Sequence, residues 1–396
     1  MESKKLVLFG AGKIGRSFIG QLFSRSGFEV IFIDINERII SELNKKKRYK
    51  VVIKSDEGDK DIWIENVRGI HGNNVDLIAG EIAKADLMAM SVGQKAIPFI
   101  APVIAKGIKL RHQKHPDLPL DIILAENLRN AAKVVADELS KHLDKAIDLD
   151  NYIGLIETSI GKMVPIMPVG VEEEDALLVY AEPYNTLILD KKGFKNSIPD
   201  VAGLEAKDNI VAWVDRKSFI HNLGHAAAAY YGFMKYPQLK YLYEVINKED
   251  VYETARATML EAADILMRHH PDEFLKSDLI DHIDDLLIRF SNKALGDTIY
   301  RVGQDLYRKL APDDRLVGAL NLALKYRMPY DRILFIIVCA IDFTAVNEEQ
   351  KQSESDFNFR AETKLGISHV LTSVCKVNID EHPQVYVKAN EILNNK

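Results

Sequence analysis

The short apolar run at residues 6–9 breaks directly into Gly10-Ala11-Gly12-Lys13-Ile14-Gly15, and helical spacing follows over residues 14–26. A G-x-G-x-x-G in that position leaves a chain few choices. The first glycine permits a tight turn, the second lets a pyrophosphate approach the backbone, and the third lets helix and strand pack closely. The helix start then offers unpaired N–H groups and a partial positive charge to phosphates. Asp34 closes the next apolar run, about 20 residues past the third glycine. A carboxylate there accepts hydrogen bonds from both ribose hydroxyls and repels a 2′-phosphate. NAD is therefore expected over NADP, although Arg38 is near enough in sequence to relieve that charge. Glycine turns are common, and the alternative is a bare strand–turn–helix whose Asp only caps. Gly93, in Ser91-Val92-Gly93 after the run at 87–90, is a further cofactor-side candidate. Ligands of doubly wound sheets lie at the carboxyl ends of strands; an ordinary turn glycine is the other reading.

The first half alternates apolar runs (30–33, 87–91, 120–125) with helical patterns, while 49–53 and 61–67 look extended. Such alternation implies βαβ units and a parallel sheet. The basic segment 107–118 reads as a surface connection. Segment 153–189 is strand-like and richer in Pro and Gly. After about residue 208 long amphipathic helical patterns take over, over 209–231, 241–269, 272–290, 296–310, 313–326, 330–346 and 383–394. The polar stretch 191–197 suggests the boundary. We expect an α/β Rossmann-type dinucleotide-binding domain over 1–195 and a mainly α-helical catalytic domain over 196–396.

Composition narrows the partners. The chain has 396 residues and a net charge of −6, which argues against a nucleic-acid surface. It holds no apolar run of about 18 residues, so no membrane span is expected, and no apolar leader of signal-peptide form precedes the first strand. Cys339 lies in the apolar run 333–340 and reads as a buried thiol; neither it nor Cys375 has zinc-ligand spacing. Two cysteines give no disulfide framework, and a reducing cytoplasm is expected.

Lys217, Asn222 and His225 form K-x-x-x-x-N-x-x-H within one helical segment. On an α-helix Asn222 lies ~140° from Lys217 and His225 ~80° from it, so all three fit one broad face. The set suits alcohol oxidation. A lysine brought towards neutrality can take the hydroxyl proton, and burial or a nearby nicotinamide cation pushes it that way. An Asn can donate to the developing alkoxide or carbonyl oxygen, and a His can orient the substrate or the lysine. Taken singly, each has a bland reading as a solvated lysine, a surface Asn or a core His. His221 and His225 also make an i, i+4 pair, but no carboxylate is placed as a third ligand, and no metal is expected.

Both motifs together, in this order, resemble the polyol-specific long-chain dehydrogenase (mannitol dehydrogenase) family, the first through residues 10–20 and the second as its hallmark. The likeness runs from about residue 4 to about residue 393, with Ala125-Glu126-Asn127, Arg301-Val302-Gly303, Arg308-Lys309-Leu310 and Asp314-Arg315-Leu316 adding to it. It implies a metal-independent, NAD-dependent oxidoreductase of a sugar alcohol or its phosphate. It also implies that Lys217 is the general base, that Asn222 and Asn127 stabilise the oxyanion, and that His225 contacts the reacting oxygen. The partner is a small molecule, and the chain a monomer or small homo-oligomer. Three departures concern the substrate. Ser17 stands where the sugar-phosphate members usually have glycine. Gly161-Lys162 replaces a common Asp-Arg, and Glu182-Pro183-Tyr184 a Glu-x-Phe. Arg129, Lys162, Arg301 and Lys309 are candidate phosphate ligands. The competing readings are a sister enzyme acting on free mannitol or a hexuronate-derived keto acid, and a non-catalytic NAD-binding sensor.

Overall fold

A computed structural model describes residues 3–168 and 170–395. The chain folds as two compact units, Met1–Val214 and Asp215–Lys396. Among its described residues the first holds eleven strands: β1 (Lys5–Phe9), β2 (Glu29–Asp34), β3 (Tyr49–Ile53), β4 (Lys60–Ile64), β5 (Val67–His71), β6 (Leu87–Met90), β7 (Leu120–Leu124), β8 (Ile153–Ser159), β9 (Val179–Ala181), β10 (Leu187–Asp190) and β11 (Leu204–Lys207). Eight of them form one sheet in the order β11-β10-β8-β7-β6-β1-β2-β5. It is parallel from β8 to β5; β10 runs antiparallel to β8, and β11 parallel to β10. A small second sheet, β4-β3-β9, accounts for the extended segments after residue 48.

Strands covered on both faces read as unbroken apolar runs. Successive side chains of β1 feed opposite layers: Leu6 and Leu8 join Phe18 and Phe32, whereas Val7 and Phe9 join Ile31 and Ile104. Strand β1 sits between β2 and β6, so the chain order reverses there, and the carboxyl ends of β1 and β6 face the same edge.

Two segments depart from their sequence reading. Most of 107–118 belongs to the helix Ile97–Lys114, where Arg111 is buried and donates to the carbonyls of Ala85 and Leu118. The polar stretch 191–197 does not end the first unit. Asp121 is buried within β7, and its carboxylate accepts from the Lys195 and Asn196 backbone N–H groups at 2.8 and 3.1 Å. Strand β11 then joins the sheet, and the unit continues to Val214.

The second unit contains helices and, among the described residues, no strand. The helix Leu223–Lys235 is its hub. Ala226 to Ala229 and Tyr230 are fully buried, and Gly224 and Gly232 allow close approach of Met259 and Val245. Cys339 and Cys375 are buried thiols. No helix among the described residues is long and apolar enough to cross a membrane.

Candidate active site

The three glycines of the turn differ in what surrounds them. Gly10 has φ +98°, and a Cβ there would lie 2.3 Å from the Ser91 carbonyl oxygen, so the turns after β1 and β6 touch. A Cβ on Gly15 would lie 2.0 Å from the Gly10 carbonyl oxygen. At Gly12 it would meet nothing within 4 Å. Protein packing therefore demands glycine at 10 and 15. At 12 glycine keeps an exposed space open, as a cradle for pyrophosphate requires.

Ala11 is buried, and its N–H donates to Asp34 Oδ2 at 2.7 Å. Asp34 Oδ1 accepts from the Asn36 N–H at 2.9 Å. Each carboxylate oxygen keeps further lone-pair capacity for a ribose. Ile14 packs on the core, and Lys13 pairs with Glu172 at the surface at 2.9 Å. Gly93 has φ +83° and open space where a side chain would stand. The N–H groups of Val92 and Gly93 donate to the buried Glu126 carboxylate at 2.7 and 3.0 Å. Burial pushes that carboxyl up, and the two N–H groups draw it back down. Glu126 thus ties the turn after β6 to the end of β7, where the exposed Asn127 follows. Sequence reasoning assigned Glu126 no role, although it stands in the family-like Ala125-Glu126-Asn127 directly after an apolar strand.

The first helix begins with a π-helical turn, Gly15–Gly20. Arg16 Nε, Ser17 Oγ and Gln21 Oε1 are buried around it without a hydrogen-bond partner.

A second π-turn, Lys217–Asn222, lies between the α-helices Ile210–Arg216 and Leu223–Lys235. It corrects the α-helical reading of this motif. Hydrogen bonding from i to i+5 sets residues 217 and 222 about one turn apart, on the same side, instead of ~140° apart. His225 follows at α-helical spacing. Its ring stacks on Phe290 at 4.6 Å and 12°, and its Nε2 lies 3.6 Å from Asp297 Oδ2. Burial, with Arg315, Lys309, Arg301 and Arg289 adding positive field, lowers the His225 pKa to about 3. The ring is a neutral imidazole at ordinary pH. Burial likewise holds His221 well below the usual histidine range, helped by Arg289, His225 and the half-buried Lys217. Asp297 is a second residue that sequence reasoning missed. It is buried, its carboxyl is raised by that burial, and Arg301 counters the shift.

The phosphate candidates occupy both units. Arg301 is engaged by Asp297. Lys309 is buried, donates to the Val302 carbonyl, and has its pKa lowered to about 7 by burial and by Arg315 and Arg308. In the first unit Lys162 donates to Asn185 Oδ1 at 2.7 Å and lies over the Phe18 ring. Arg129 lies two residues beyond Asn127. Two of the sequence departures meet in space: a Cβ on Gly161 would lie 3.6 Å from the Tyr184 ring.

The family model for the mannitol dehydrogenase Rossmann domain matches residues 4–203, and that for the mannitol dehydrogenase C-terminal domain matches residues 209–374. The mannitol-1-phosphate 5-dehydrogenase of Buchnera aphidicola subsp. Schizaphis graminum is 31% identical over 379 residues, covering 94% of each chain. That of Lactococcus lactis subsp. cremoris is 31% identical over 375 residues, 92% of this chain and 95% of the relative. Among solved structures, Pseudomonas fluorescens mannitol 2-dehydrogenase, in ternary complex with NAD and D-mannitol, superposes with TM-score 0.73 at 14% identity over 99% of this chain and 91% of its own. A substrate-free D-sorbitol dehydrogenase gives 0.79 at 14% identity, over 98% and 91%. At that identity the likeness is one of fold.

Proposed function

The chain belongs to the mannitol dehydrogenase family of oxidoreductases, and on that premise we propose that it interconverts mannitol 1-phosphate and fructose 6-phosphate with NAD. Gly10, Ala11, Gly12, Lys13, Ile14, Gly15, Asp34 and Gly93 hold the dinucleotide. Bound there, NAD would supply the hydride acceptor for the alcohol carbon. The π-turn carries the chemistry, because it sets Lys217 and Asn222 on one side of a helix that presents a neutral His225.

Lys217 accepts the hydroxyl proton as the hydride departs. Asn222 and Asn127 donate to the oxygen as charge develops on it. His225, kept neutral by its surroundings and adjacent to Asp297, contacts the same oxygen without competing for the proton. Oxidation then requires neutral Lys217 and rises with pH, while reduction falls over the same range. The two relatives' names support the phosphorylated substrate.

The test is NADH oxidation with fructose 6-phosphate beside free fructose, fructuronate and tagaturonate. Turnover with the phosphate ester alone is expected. Turnover only with an unphosphorylated sugar or keto acid overturns the substrate and keeps the lysine chemistry. No turnover with any of the four, alongside intact NADH binding, favours the sensor reading.

A further inference from the structure

Beside the residues assigned to hydride transfer but not among them, three metal-ligating side chains of the second unit converge. Asp215 is buried, two residues before Lys217. His269 ends the helix Glu249–His269, and His270 follows it. Nε2 of His270 lies 2.8 Å and Nε2 of His269 3.8 Å from the same atom, Asp215 Oδ2. One ligand atom from each of the three lies within 4.8 Å of the others. Among the described residues no other group of His, Cys, Asp and Glu side chains converges in this way.

The dimensions suit a small divalent ion. Zinc bonds of ~2.0–2.1 Å in tetrahedral geometry separate ligand atoms by about 3.3 Å. The observed separations bracket that value, and side-chain rotation of about an ångström or so closes the difference. The surroundings suit it too. Metal-bound imidazoles use their other ring nitrogen in a hydrogen bond that sets tautomer and ring plane. His269 Nδ1 lies 2.9 Å from the Tyr326 hydroxyl, a partner of that kind. A ring that donates there from Nδ1 turns its Nε2 lone pair to Asp215. The site is sheltered without being sealed: the His269 side chain is 25% exposed and that of His270 11%. Two imidazoles and one carboxylate leave a fourth position for water.

We propose that Asp215, His269 and His270 bind one divalent transition-metal ion of the zinc class. Bound there, the ion fastens the end of the helix Glu249–His269 to the residue just ahead of the Lys217 π-turn. Nitrogen ligands favour zinc-class ions over magnesium, which prefers all-oxygen sites. The inference is independent of the proposed reaction and stands or falls on binding alone.

The test uses the full-length protein, stripped with a chelator and titrated separately with zinc, cobalt(II) and magnesium. Bound metal is counted by equilibrium dialysis, the visible ligand-field absorption of cobalt is recorded, and melting temperature is followed. The expected result is about one equivalent of zinc per chain, a tetrahedral cobalt spectrum, and a melting temperature that rises with zinc and not with magnesium, because an ion bound only by the folded state stabilises it. The His269→Gln, His270→Gln double variant should lose all three signals. Should it fail to fold, His269→Gln alone serves, since it keeps the Asp215–His270 pair; it should bind zinc at least tenfold more weakly. Less than half an equivalent of zinc on the parent protein overturns the site, as does unchanged binding in the variant that folds.

Discussion

The glycine-turn edge of the first unit and the Lys217–His225 helix of the second are held by opposite means. Around Gly10–Gly15 the work is done by main chain: Gly10 touches the Ser91 carbonyl, Gly15 touches Gly10, and the Ala11, Val92 and Gly93 N–H groups are anchored by Asp34 and Glu126. Around Lys217, Asn222 and His225 side chains hold the arrangement. The imidazoles of His221 and His225 are buried and neutral, Asp297 is buried beside an imidazole, and Lys309 is buried with two arginines in its field. A site built from backbone is governed mainly by steric fit and responds to pH only through the carboxylate that anchors it, here Glu126. One built from buried ionisable groups is tuned chemically and is sensitive to acid. Binding a dinucleotide needs only the first kind. Moving a proton needs the second.

The largest expected effect tests the chemical side of this contrast. Lys217→Ala should lower kcat by about 10²–10⁴-fold while NAD affinity, measured by fluorescence titration, stays nearly constant. Turnover within tenfold of the parent would remove Lys217 as the base.

Next come two glycine substitutions that separate packing from binding within the first unit. Gly15→Ala places a methyl on the Gly10 carbonyl and should destabilise the protein by about 3 kcal/mol, the upper end for overpacked sites. Gly12→Ala meets no protein atom. It should leave the denaturation midpoint unchanged and weaken NAD by about tenfold, roughly 1.4 kcal/mol. A loss of stability at Gly12 equal to that at Gly15 would break the distinction.

Acid should act on the second unit first. Unfolded histidine titrates near ~6.5. His221, His225 and His282 have lowered values in the folded chain, about 3 for His225, because burial disfavours their charged form. Below ~6.5 the unfolded chain therefore binds more protons than the folded one, and stability falls as pH falls towards about 3. Glu126 in the first unit, and Asp297 and Glu261 in the second, have the opposite sign: each raised carboxyl adds stability at low pH that is lost as pH rises through its folded value, but in the second unit the three histidines outnumber them. Hydrogen exchange read by mass spectrometry at pH 7 and pH 5 should show earlier loss of protection in residues 215–395 than in the sheet of the first unit. Simultaneous loss in both would contradict this account.

The smallest effect concerns Ser17, whose hydroxyl is buried without a partner in the first π-turn. Ser17→Ala should stabilise the protein by about 1 kcal/mol, since an unsatisfied buried polar group costs about 1–3 kcal/mol. A lower melting temperature in the variant would mean that the hydroxyl has a partner after all.

Much of this arrangement was legible without coordinates. The glycine turn, Asp34, the two-part division into a strand–helix half and a helical half, and the cluster at 217–225 depend on near neighbours in the chain, and local backbone requirements leave a pattern there. Gly15 is a glycine because of a contact made within its own turn, to the Gly10 carbonyl, and Gly10 because of its positive φ as well as the distant Ser91. By contrast, 191–197 has the composition of a linker and serves instead to satisfy the buried Asp121, about 75 residues away. Glu126 and Asp297 gain their roles only when distant turns and helices meet, as does the trio of Asp215, His269 and His270.

The π-turn at Lys217–Asn222 shows where the division lies. The sequence alone placed lysine, asparagine and histidine in one helical segment behind a dinucleotide fingerprint, and those residue types suit the chemistry of alcohol oxidation. It could not place the side chains around the helix axis, because an isolated helix adopts α-spacing by default. A wider turn persists only where tertiary packing over-determines it, here around the buried Phe219 and Ile220 and a helix seated closely against Met259. Residue identity is a local property and was readable. Registration depends on the whole core, and only the folded chain decided it.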